Sequence, residues 1–294
     1  MKLPPELRGR LTARFGRLDS AVAVAGGDTS AAARVTTAAG ERLFVKWGHG
    51  HAGRSYGPEV DGLRALAAAA PADVVVPEVL AYAAPAGEAP GFLAQRWLDA
   101  AGGGDGAAWA RLGEGLAGLH AAAAPGEGYG WARDNFLGRL PQVNASAPTW
   151  PEFYARARLG AVREHVRAVG LWRGAWDGAY DGLLADLPHR LPERPARALV
   201  HGDLWAGNAL VLADGRCALL DPAVYVGHAE VDLALAELFG GFPADFFAGY
   251  RAAAPPEPGY PARRDVYQLY HLVMHLLVSP GYAGAVDRVL GRLT

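Results

Sequence analysis

The stretch from Val200 to Ala223 constrains this chain more than any other part of the sequence. It contains His-Gly-Asp-Leu-Trp-Ala-Gly-Asn and then, after a short hairpin-like stretch, Asp-Pro-Ala. Asp203 is followed by Asn208 five residues later and by Asp221 thirteen residues after that. A tight loop and a β-hairpin can bring three such oxygen-bearing side chains together, and Mg²⁺ prefers oxygen ligands. The spacing therefore predicts a site where a divalent cation, a phosphate and a hydroxyl meet.

The same spacing is typical of kinase catalytic loops, in which H-R-D-x-x-x-x-N precedes D-F-G. By that pattern Asp203 is the catalytic base that meets the attacking hydroxyl, while Asn208 and Asp221 hold Mg²⁺. The hypothesis is ATP-dependent phosphoryl transfer. His201 is expected to brace the loop, because this chemistry depends on positioning and charge neutralisation. Asp232 is either a second brace, through backbone amides, or a carboxylate placed at a helix start.

Lysine usage indicates a phosphate-binding residue. Only two of the 28 Lys and Arg residues are lysines, and Lys46 lies in the strand-like stretch Arg-Leu-Phe-Val-Lys-Trp. A compact ammonium can reach between two phosphates where a guanidinium cannot substitute freely. Lys46 is therefore predicted to contact the nucleotide. Glu59 has two interpretations: it pairs with Lys46, or it suits the first turn of a helix that opens at Pro58.

Two further segments complete the predicted nucleotide site. Glycines within 26–30 allow backbone amides to approach a phosphate closely, although the same residues also suit a plain hairpin turn. The predicted phosphate contacts are Gly26, Gly27, Asp28 and Thr29. The glycine-rich segment 99–106 is the candidate hinge. Just before it, the backbone of Arg96, Trp97 and Leu98 is expected to face the adenine.

Five residues are candidate contacts for the phosphate acceptor. Trp205 suits stacking on a sugar-like or planar acceptor, or simple packing. Asp134 and Asn135 suit either a turn or a substrate contact. His228 and Glu230 follow the predicted metal ligand and are expected to line the acceptor pocket, with a helix-start carboxylate as the alternative for Glu230.

Hydrophobic periodicity predicts two parts. Residues 1–98 contain a short helix and five strands and form the nucleotide-binding N-lobe, whereas residues 99–294 are mainly helical and hold the catalytic loop and acceptor site. The predicted strands are Ala21–Ala25, Ala32–Thr36, Arg42–Trp47, Val79–Ala83 and Gly91–Trp97. Residues 48–57 are predicted as a loop before a helix at Pro58, and residues 125–149 as loop-rich. The fold class is α+β, with a small antiparallel sheet and a larger helical lobe.

Composition excludes several classes of partner. The chain has 294 residues, 51% of them hydrophobic, which suffices for a large core. Its formal charge of −2 gives no basic excess for nucleic acid, and no apolar run is long enough for a membrane span. A single cysteine, Cys217, permits no intrachain disulfide, and the first residues lack an apolar signal core. We expect a cytoplasmic protein.

Longer motifs make the chain resemble the fructosamine kinase, or ketosamine-3-kinase, family. The likeness runs in order from about residue 20 to residue 282. The motifs that carry it are His-Gly-Asp-Leu-Trp-Ala-Gly-Asn at 201–208, Asp-Pro-Ala and its continuation at 221–234, Glu-Leu-Phe-Gly-Gly-Phe at 237–242, Phe-Val-Lys at 44–46, Asp-Asn-Phe-Leu-Gly at 134–138, Gln142 with Asn144, Arg158-Leu159, and Tyr-Gln-Leu-Tyr-His-Leu at 267–272.

The resemblance implies a bilobal protein-kinase-like fold and transfer of the ATP γ-phosphate, with Mg²⁺, to the 3-hydroxyl of a small or protein-bound ketosamine. The phosphorylated adduct then falls apart and frees the amine, so the implied role is deglycation. We expect a monomer or a weak homodimer. Two alternatives stay open: an aminoglycoside or other small-alcohol phosphotransferase on the same fold, and a catalytically silent nucleotide-binding module.

Overall fold

The computed structural model describes residues 1–24, 30–103 and 105–294. The predicted phosphate contacts Gly26, Gly27, Asp28 and Thr29 lie outside the described residues.

The N-terminal part is a helix, an antiparallel sheet and a second helix. Its elements are α1 (Pro5–Phe15), β1 (Leu18–Ala23), β2 (Ala31–Thr37), β3 (Arg42–Gly48), α2 (Gly50–Ala69), β4 (Val74–Val75), β5 (Val79–Ala83) and β6 (Gly91–Arg96). Five strands form one sheet in the order β1-β2-β3-β6-β5. Alternating apolar side chains of β3, Leu43 and Val45, are fully buried against Leu7 and Leu11 of α1. The predicted five-stranded antiparallel sheet is confirmed.

The helix that carries Glu59 begins earlier than the sequence predicts. Helix α2 spans Gly50–Ala69, so the predicted loop at 48–57 and the helix start at Pro58 are wrong. Gly53 allows α2 to pack closely against β3, because a Cβ at this position would lie 2.5 Å from the carbonyl oxygen of Gly48. Glu59 therefore lies inside the helix, and the first-turn dipole does not explain it.

The C-terminal part is mainly helical, with three small sheets. In chain order its elements are α3 (Gly106–Ala121), β7 (Asn135–Leu137), β8 (Leu140–Gln142), α4 (Trp150–Phe153), a π-helical turn (Tyr154–Gly160), α5 (Ala161–Ala168), a 3-10 turn (Gly174–Trp176), α6 (Asp177–Arg190), β9 (Arg197–Val200), a 3-10 turn (Ala206–Asn208), β10 (Ala209–Val211), β11 (Cys217–Leu219), β12 (Tyr225–His228), α7 (Glu230–Leu238), α8 (Ala244–Ala253), α9 (Tyr260–His275), a 3-10 turn (Pro280–Tyr282) and α10 (Ala283–Leu293).

Five short strands lie in segments for which the sequence predicts no strand, namely β4, β7, β8, β9 and β12. Strands β7 and β8 form a hairpin within 125–149, and β9 pairs with β12 on either side of the catalytic segment. The predicted hairpin is present as β10 and β11, and β4 joins β11 in parallel. The lobe division at residues 98 and 99 stays a prediction, and β4 of the N-terminal part pairs with β11 of the C-terminal part across it. Across the described residues, no helix has the length and apolarity that a membrane crossing requires.

Candidate active site

Lys46 joins the two parts of the chain at one cluster. Its position on β3 points Nζ toward α2 and toward the end of the β10–β11 hairpin. Lys46 Nζ donates to Asp221 Oδ1 at 2.9 Å and lies 2.6 Å from Glu59 Oε1. The contact with Glu59 is an ion pair between two largely buried side chains. Of the two interpretations of Glu59, the structure shows the pair with Lys46.

Burial and neighbouring charges act against each other in this cluster. Burial would lower the pKa of Lys46, but attraction to Asp221 and Glu59 outweighs it and the pKa of Lys46 is raised. Burial raises the pKa of Glu59 to about 7, with Lys46 opposing the shift and Asp221 adding to it. The ammonium of Lys46 thus stays charged next to one exposed and one buried carboxyl group.

Asp203 and Asn208 form a second pair within the catalytic loop. A 3-10 turn begins three residues after Asp203 and brings Asn208 back beside it, so that Asn208 Nδ2 donates to Asp203 Oδ2 at 3.1 Å and to its carbonyl oxygen at 2.8 Å. Burial raises the pKa of Asp203 to about 7, the hydrogen bond from Asn208 opposes the shift, and Asp221 adds to it. The two predicted acidic groups, Asp203 and Asp221, therefore lie close enough for their charges to interact.

Asp232 braces the catalytic loop through backbone amides, as one of its two interpretations predicts. Its carboxylate accepts from the amide of His201 at 2.7 Å and of Gly202 at 2.9 Å. A third partner, His120, was not predicted from the sequence. Its Nε2 lies 3.1 Å from Asp232 Oδ2, and its Nδ1 lies 2.9 Å from the hydroxyl of Tyr250. Burial would raise the pKa of Asp232, but these partners lower it, so the group is a buried carboxylate. Nothing local in the sequence signals His120, which is 112 residues away.

His201 also acts as a brace. It is fully buried, its Nε2 lies 2.9 Å from the carbonyl oxygen of Leu220, and its Nδ1 accepts from the amide of Asp203 at 3.3 Å. Burial lowers the pKa of His201, so the ring is neutral. His201 thereby ties the segment before Asp221 to the loop that carries Asp203, which is the predicted structural role.

Asp221 has a strained backbone. Its φ is 49°, and it is the one non-glycine residue with positive φ among those the structure describes. Such a conformation persists only where the surroundings fix it, and it is concentrated at functional sites. The next two residues are buried, and the amide of Ala223 donates to the carbonyl oxygen of His201 at 2.9 Å.

The donor set suits Mg²⁺. Asn208 uses Nδ2 for its bonds to Asp203, which leaves Oδ1 as its ligand atom. The carboxylate of Asp221 is 43% exposed and bonds Lys46 through one oxygen, which leaves the other. Within 1–24, 30–103 and 105–294, no three His, Cys, Asp or Glu side chains converge as a metal site. A pair of hard oxygen donors is nevertheless sufficient for Mg²⁺, which keeps several waters and binds substrate phosphates.

Two of the three backbone amides predicted to face the adenine are hydrogen-bonded to neighbouring strands or the segments beside them. The amide of Arg96 donates to the carbonyl oxygen of Glu78 at 2.9 Å, and that of Trp97 to Arg42 at 3.1 Å. In the described part of the chain, the amide of Leu98 donates no hydrogen bond to another backbone group. Of the three predicted adenine contacts, it is therefore the one whose amide is available to a ligand. The linker itself is held by Asp99, which Arg42 contacts with two hydrogen bonds of 2.6 Å.

Four of the five predicted acceptor contacts point to internal partners. Asp134 is exposed, but its Oδ1 accepts from the amide of Asn144 at 2.8 Å. Asn135 is buried and donates to the carbonyl oxygen of Val224 at 2.8 Å. His228 lies 2.8 Å from Tyr267 OH, and both oxygens of Glu230 accept from Arg263 at 2.7 Å. The polar groups of these four side chains are thus engaged by partners within the chain.

Trp205 is the acceptor candidate at the surface. Its side chain is 44% exposed, although it stands two residues after Asp203. The ring lies against Gly207, because a Cβ there would come within 2.1 Å of it. A large aromatic face is thus held open beside the catalytic loop.

Comparison with known proteins agrees with this architecture. The model of the fructosamine kinase family matches residues 10–294. A relative from Synechocystis sp. named "Probable ketoamine kinase" is 37% identical over 252 residues, which cover 85% of this chain and 82% of the relative. These matches extend over both parts of the fold and include the catalytic segment.

Solved structures share the fold. A crystal structure from Thermobifida fusca, described as a "putative fructosamine-3-kinase", has a TM-score of 0.86 at 29% identity, and the match covers 98% of each chain. A macrolide 2′-phosphotransferase type I has a TM-score of 0.61 at 17% identity, covering 100% of this chain and 99% of its own, which speaks to the fold alone. The predicted bilobal, protein-kinase-like fold is confirmed, and with the family match over 10–294 the chain belongs to the fructosamine kinase family.

Proposed function

We propose that this chain is an ATP-dependent ketosamine 3-kinase. It transfers the γ-phosphate of ATP to the 3-hydroxyl of a ketosamine, the sugar adduct left by glycation of an amine. Family membership and the names of the relatives support the acceptor class. The observation that carries the proposal is the hydrogen bond between Lys46 and Asp221, 175 residues apart, beside a catalytic loop that holds Asp203.

Asp203 is the proposed catalytic base. In the reaction, a bond forms between the sugar oxygen and the γ-phosphorus, the bond to the bridging oxygen of ADP breaks, and the hydroxyl proton passes to Asp203. A carboxyl group whose pKa is raised to about 7 by burial can accept a proton near neutral pH. Asn208 holds the carboxylate of Asp203 in place through its Nδ2.

Lys46 and Glu59 are the proposed nucleotide-orienting pair. Lys46 supplies a positive charge to the phosphates, and Glu59 fixes the direction of its side chain. Asn208 and Asp221 would hold Mg²⁺, which supplies charge neutralisation at the phosphates when bound. The backbone of Gly26, Gly27, Asp28 and Thr29 is proposed to cover the phosphates, and the amide of Leu98 to reach the adenine.

Trp205 is the proposed acceptor contact. An indole face that is open to solvent can stack on the C–H face of a sugar. Because Asn135, His228 and Glu230 are committed to internal hydrogen bonds, we assign them no acceptor contact. The 3-phosphorylated product is expected to decompose and release the amine, which makes the role deglycation of small or protein-bound amines. We place this activity in the cytoplasm, since a single cysteine fits a reducing compartment.

ADP release across a panel of acceptors tests the proposal. The panel contains ribulose-lysine, fructose-lysine, an aminoglycoside and choline, each with Mg²⁺ and ATP, and Asp203→Asn is the control. We expect ketosamine-dependent ADP release that the variant loses. Selective turnover of the antibiotic or choline would favour the other phosphotransferases of this fold. ATP binding without acceptor-dependent ADP release would favour the silent module.

A further inference from the structure

Arg158 is a buried cation whose partners are uncharged. Its side chain is fully buried in the C-terminal core. It donates to the carbonyl oxygens of Val143 at 2.6 Å and Ala157 at 2.9 Å, and to Asn144 Oδ1 at 2.8 Å. In the described ranges no carboxylate contacts it. A buried charge is costly unless it is paired, so this arrangement needs an explanation.

Aromatic rings supply part of the compensation. The guanidinium carbon lies 3.9 Å from the centre of the Tyr225 ring and 4.7 Å from that of Phe153. Cation–π contacts of this kind gain strength when they are desolvated. Tyr225 is four residues after Asp221, so the buried charge already contacts the segment that carries the proposed metal ligand.

A chain of amides extends from Arg158 to the same segment. Asn144 donates to Asn135 Oδ1 at 3.0 Å, and Asn135 donates to the carbonyl oxygen of Val224 at 2.8 Å. Gln142 donates both to Asn135 Oδ1 at 2.8 Å and to the carbonyl oxygen of Ala223 at 3.0 Å. These bonds reach two consecutive carbonyl groups.

The catalytic loop also holds Ala223. The amide of Ala223 donates to the carbonyl oxygen of His201 at 2.9 Å. Gly202 packs against the same residue, because a Cβ on Gly202 would lie 2.1 Å from the Ala223 carbonyl oxygen. Ala223 is therefore held between the catalytic loop and Gln142. Tyr270 OH donates to Gln142 Oε1 at 3.0 Å and sets the direction of that amide.

We propose that Arg158, Asn144, Asn135 and Gln142 are positioning residues for Asp221. They hold residues 223–225 so that the strained backbone at Asp221 keeps its carboxylate aimed at the metal and at Lys46. The inference rests on the proposed function for the identity of the metal ligand, but not on the identity of the acceptor. A purely structural network would affect stability and leave metal binding unchanged.

The test measures Mn²⁺ binding in the presence of saturating ADP, by electron paramagnetic resonance of free Mn²⁺. Gln142→Met removes the amide at similar length, and the loss of its hydrogen bond to the carbonyl oxygen of Ala223 is expected to weaken Mn²⁺ binding about tenfold. Tyr270→Phe removes only the hydroxyl that orients Gln142, and we expect a loss of about threefold. If Gln142→Met fails to fold, the measurement on Tyr270→Phe decides the test.

Tyr180→Phe is the matched control. Tyr180 OH is a buried donor to the carbonyl oxygen of Leu159 at 2.9 Å, so its loss destabilises the same core beside Arg158 without touching residues 223–225. Hydrogen exchange of the Ala223 amide should quicken in Gln142→Met and not in the control.

Three outcomes are decisive. Weaker Mn²⁺ binding in Gln142→Met and Tyr270→Phe, but not in Tyr180→Phe, supports the proposal. Parent-like binding in the first two variants overturns it, whatever their melting temperatures. Absence of Mn²⁺ binding by the parent with ADP overturns the assignment of Asp221 itself. Failure of the proposed function is separate, since it would appear as normal Mn²⁺ binding without ketosamine turnover.

Discussion

Lys46 Nζ donates a hydrogen bond to Asp221 Oδ1 at 2.9 Å, which joins the N-terminal sheet to the segment that follows the catalytic loop. Glu59 lies on the other side of the same ammonium, 2.6 Å away. Lys46 and Glu59 both belong to the N-terminal part, whereas Asp221 follows Lys46 by 175 residues, so the meeting of all three depends on how the two lobes are assembled.

Glu59→Gln should weaken use of the nucleotide. Loss of the charge removes the ion pair that directs Lys46, and we expect kcat/KM for ATP to fall about 10- to 100-fold. Asp61→Asn is the matched control, since Asp61 is a half-buried carboxylate on the same helix and pairs with Arg133 instead of Lys46. Steady-state kinetics with ATP varied separates the two. Equal effects of both substitutions would contradict the orienting role.

Asp203→Asn should abolish most turnover while nucleotide binding remains. Asparagine cannot accept the proton of the attacking hydroxyl, and general-base catalysis contributes about 10²- to 10⁴-fold. We therefore expect a loss of that size in kcat, with the KM for ATP within about threefold of the parent. ADP release with fructose-lysine measures both. A variant as fast as the parent would remove Asp203 from its assigned role.

Asp232→Asn should destabilise the fold. The buried carboxylate accepts from the two amides of His201 and Gly202 and contacts His120, and an amide cannot replace all three interactions. We expect a loss of about 2–4 kcal/mol in the free energy of unfolding. Urea denaturation measures it, with the exposed Asp214→Asn as a control that should leave stability nearly unchanged. A parent-like midpoint for Asp232→Asn would show that the brace is dispensable.

His271→Leu should flatten the acid side of the stability profile. Burial lowers the pKa of His271 to about 3, so the unfolded chain binds the extra proton between pH 3 and 6.5 and stability falls as the pH drops through this range. Between pH 7 and pH 5.5, the free energy of unfolding of the parent should fall by about 1 kcal/mol more than that of the variant. The parent must be compared with the variant at each pH, because the raised pKa values of Asp203 and Glu59 make the stability of both proteins rise as the pH falls. The difference between the two proteins removes this shared contribution. A constant difference across this range would contradict a neutral buried His271.

The sequence predicted much of the candidate site because its chemistry is concentrated in one segment. Asp203, Asn208 and Asp221 lie within 19 positions, and a loop followed by a hairpin is enough to bring them near each other. Lys46 was recognisable because lysine is so rare here and because its neighbours alternate as in a strand. The strands of the N-terminal sheet were predicted to within a few residues for the same reason.

Other features depend on contacts that no local pattern reveals. The sequence predicted a loop at 48–57 and a helix start at Pro58, yet α2 begins at Gly50 and runs through Pro58, and Gly53 is needed for its close packing against β3. The strands β7, β8, β9 and β12 have three or four residues each, too few for periodicity to appear. His228 and Glu230 looked like pocket residues, but a partner 33 positions away, Arg263, holds Glu230 inside the core.

Product analysis tests the central claim most directly. The parent protein is incubated with ATP, Mg²⁺ and fructose-lysine, and the sugar is examined by ³¹P–¹H correlation NMR before the adduct decomposes. We predict one new phosphate coupled to the proton on sugar carbon 3, absent with Asp203→Asn. A phosphate at another carbon, or ATP consumed with no phosphorylated sugar, would contradict the account.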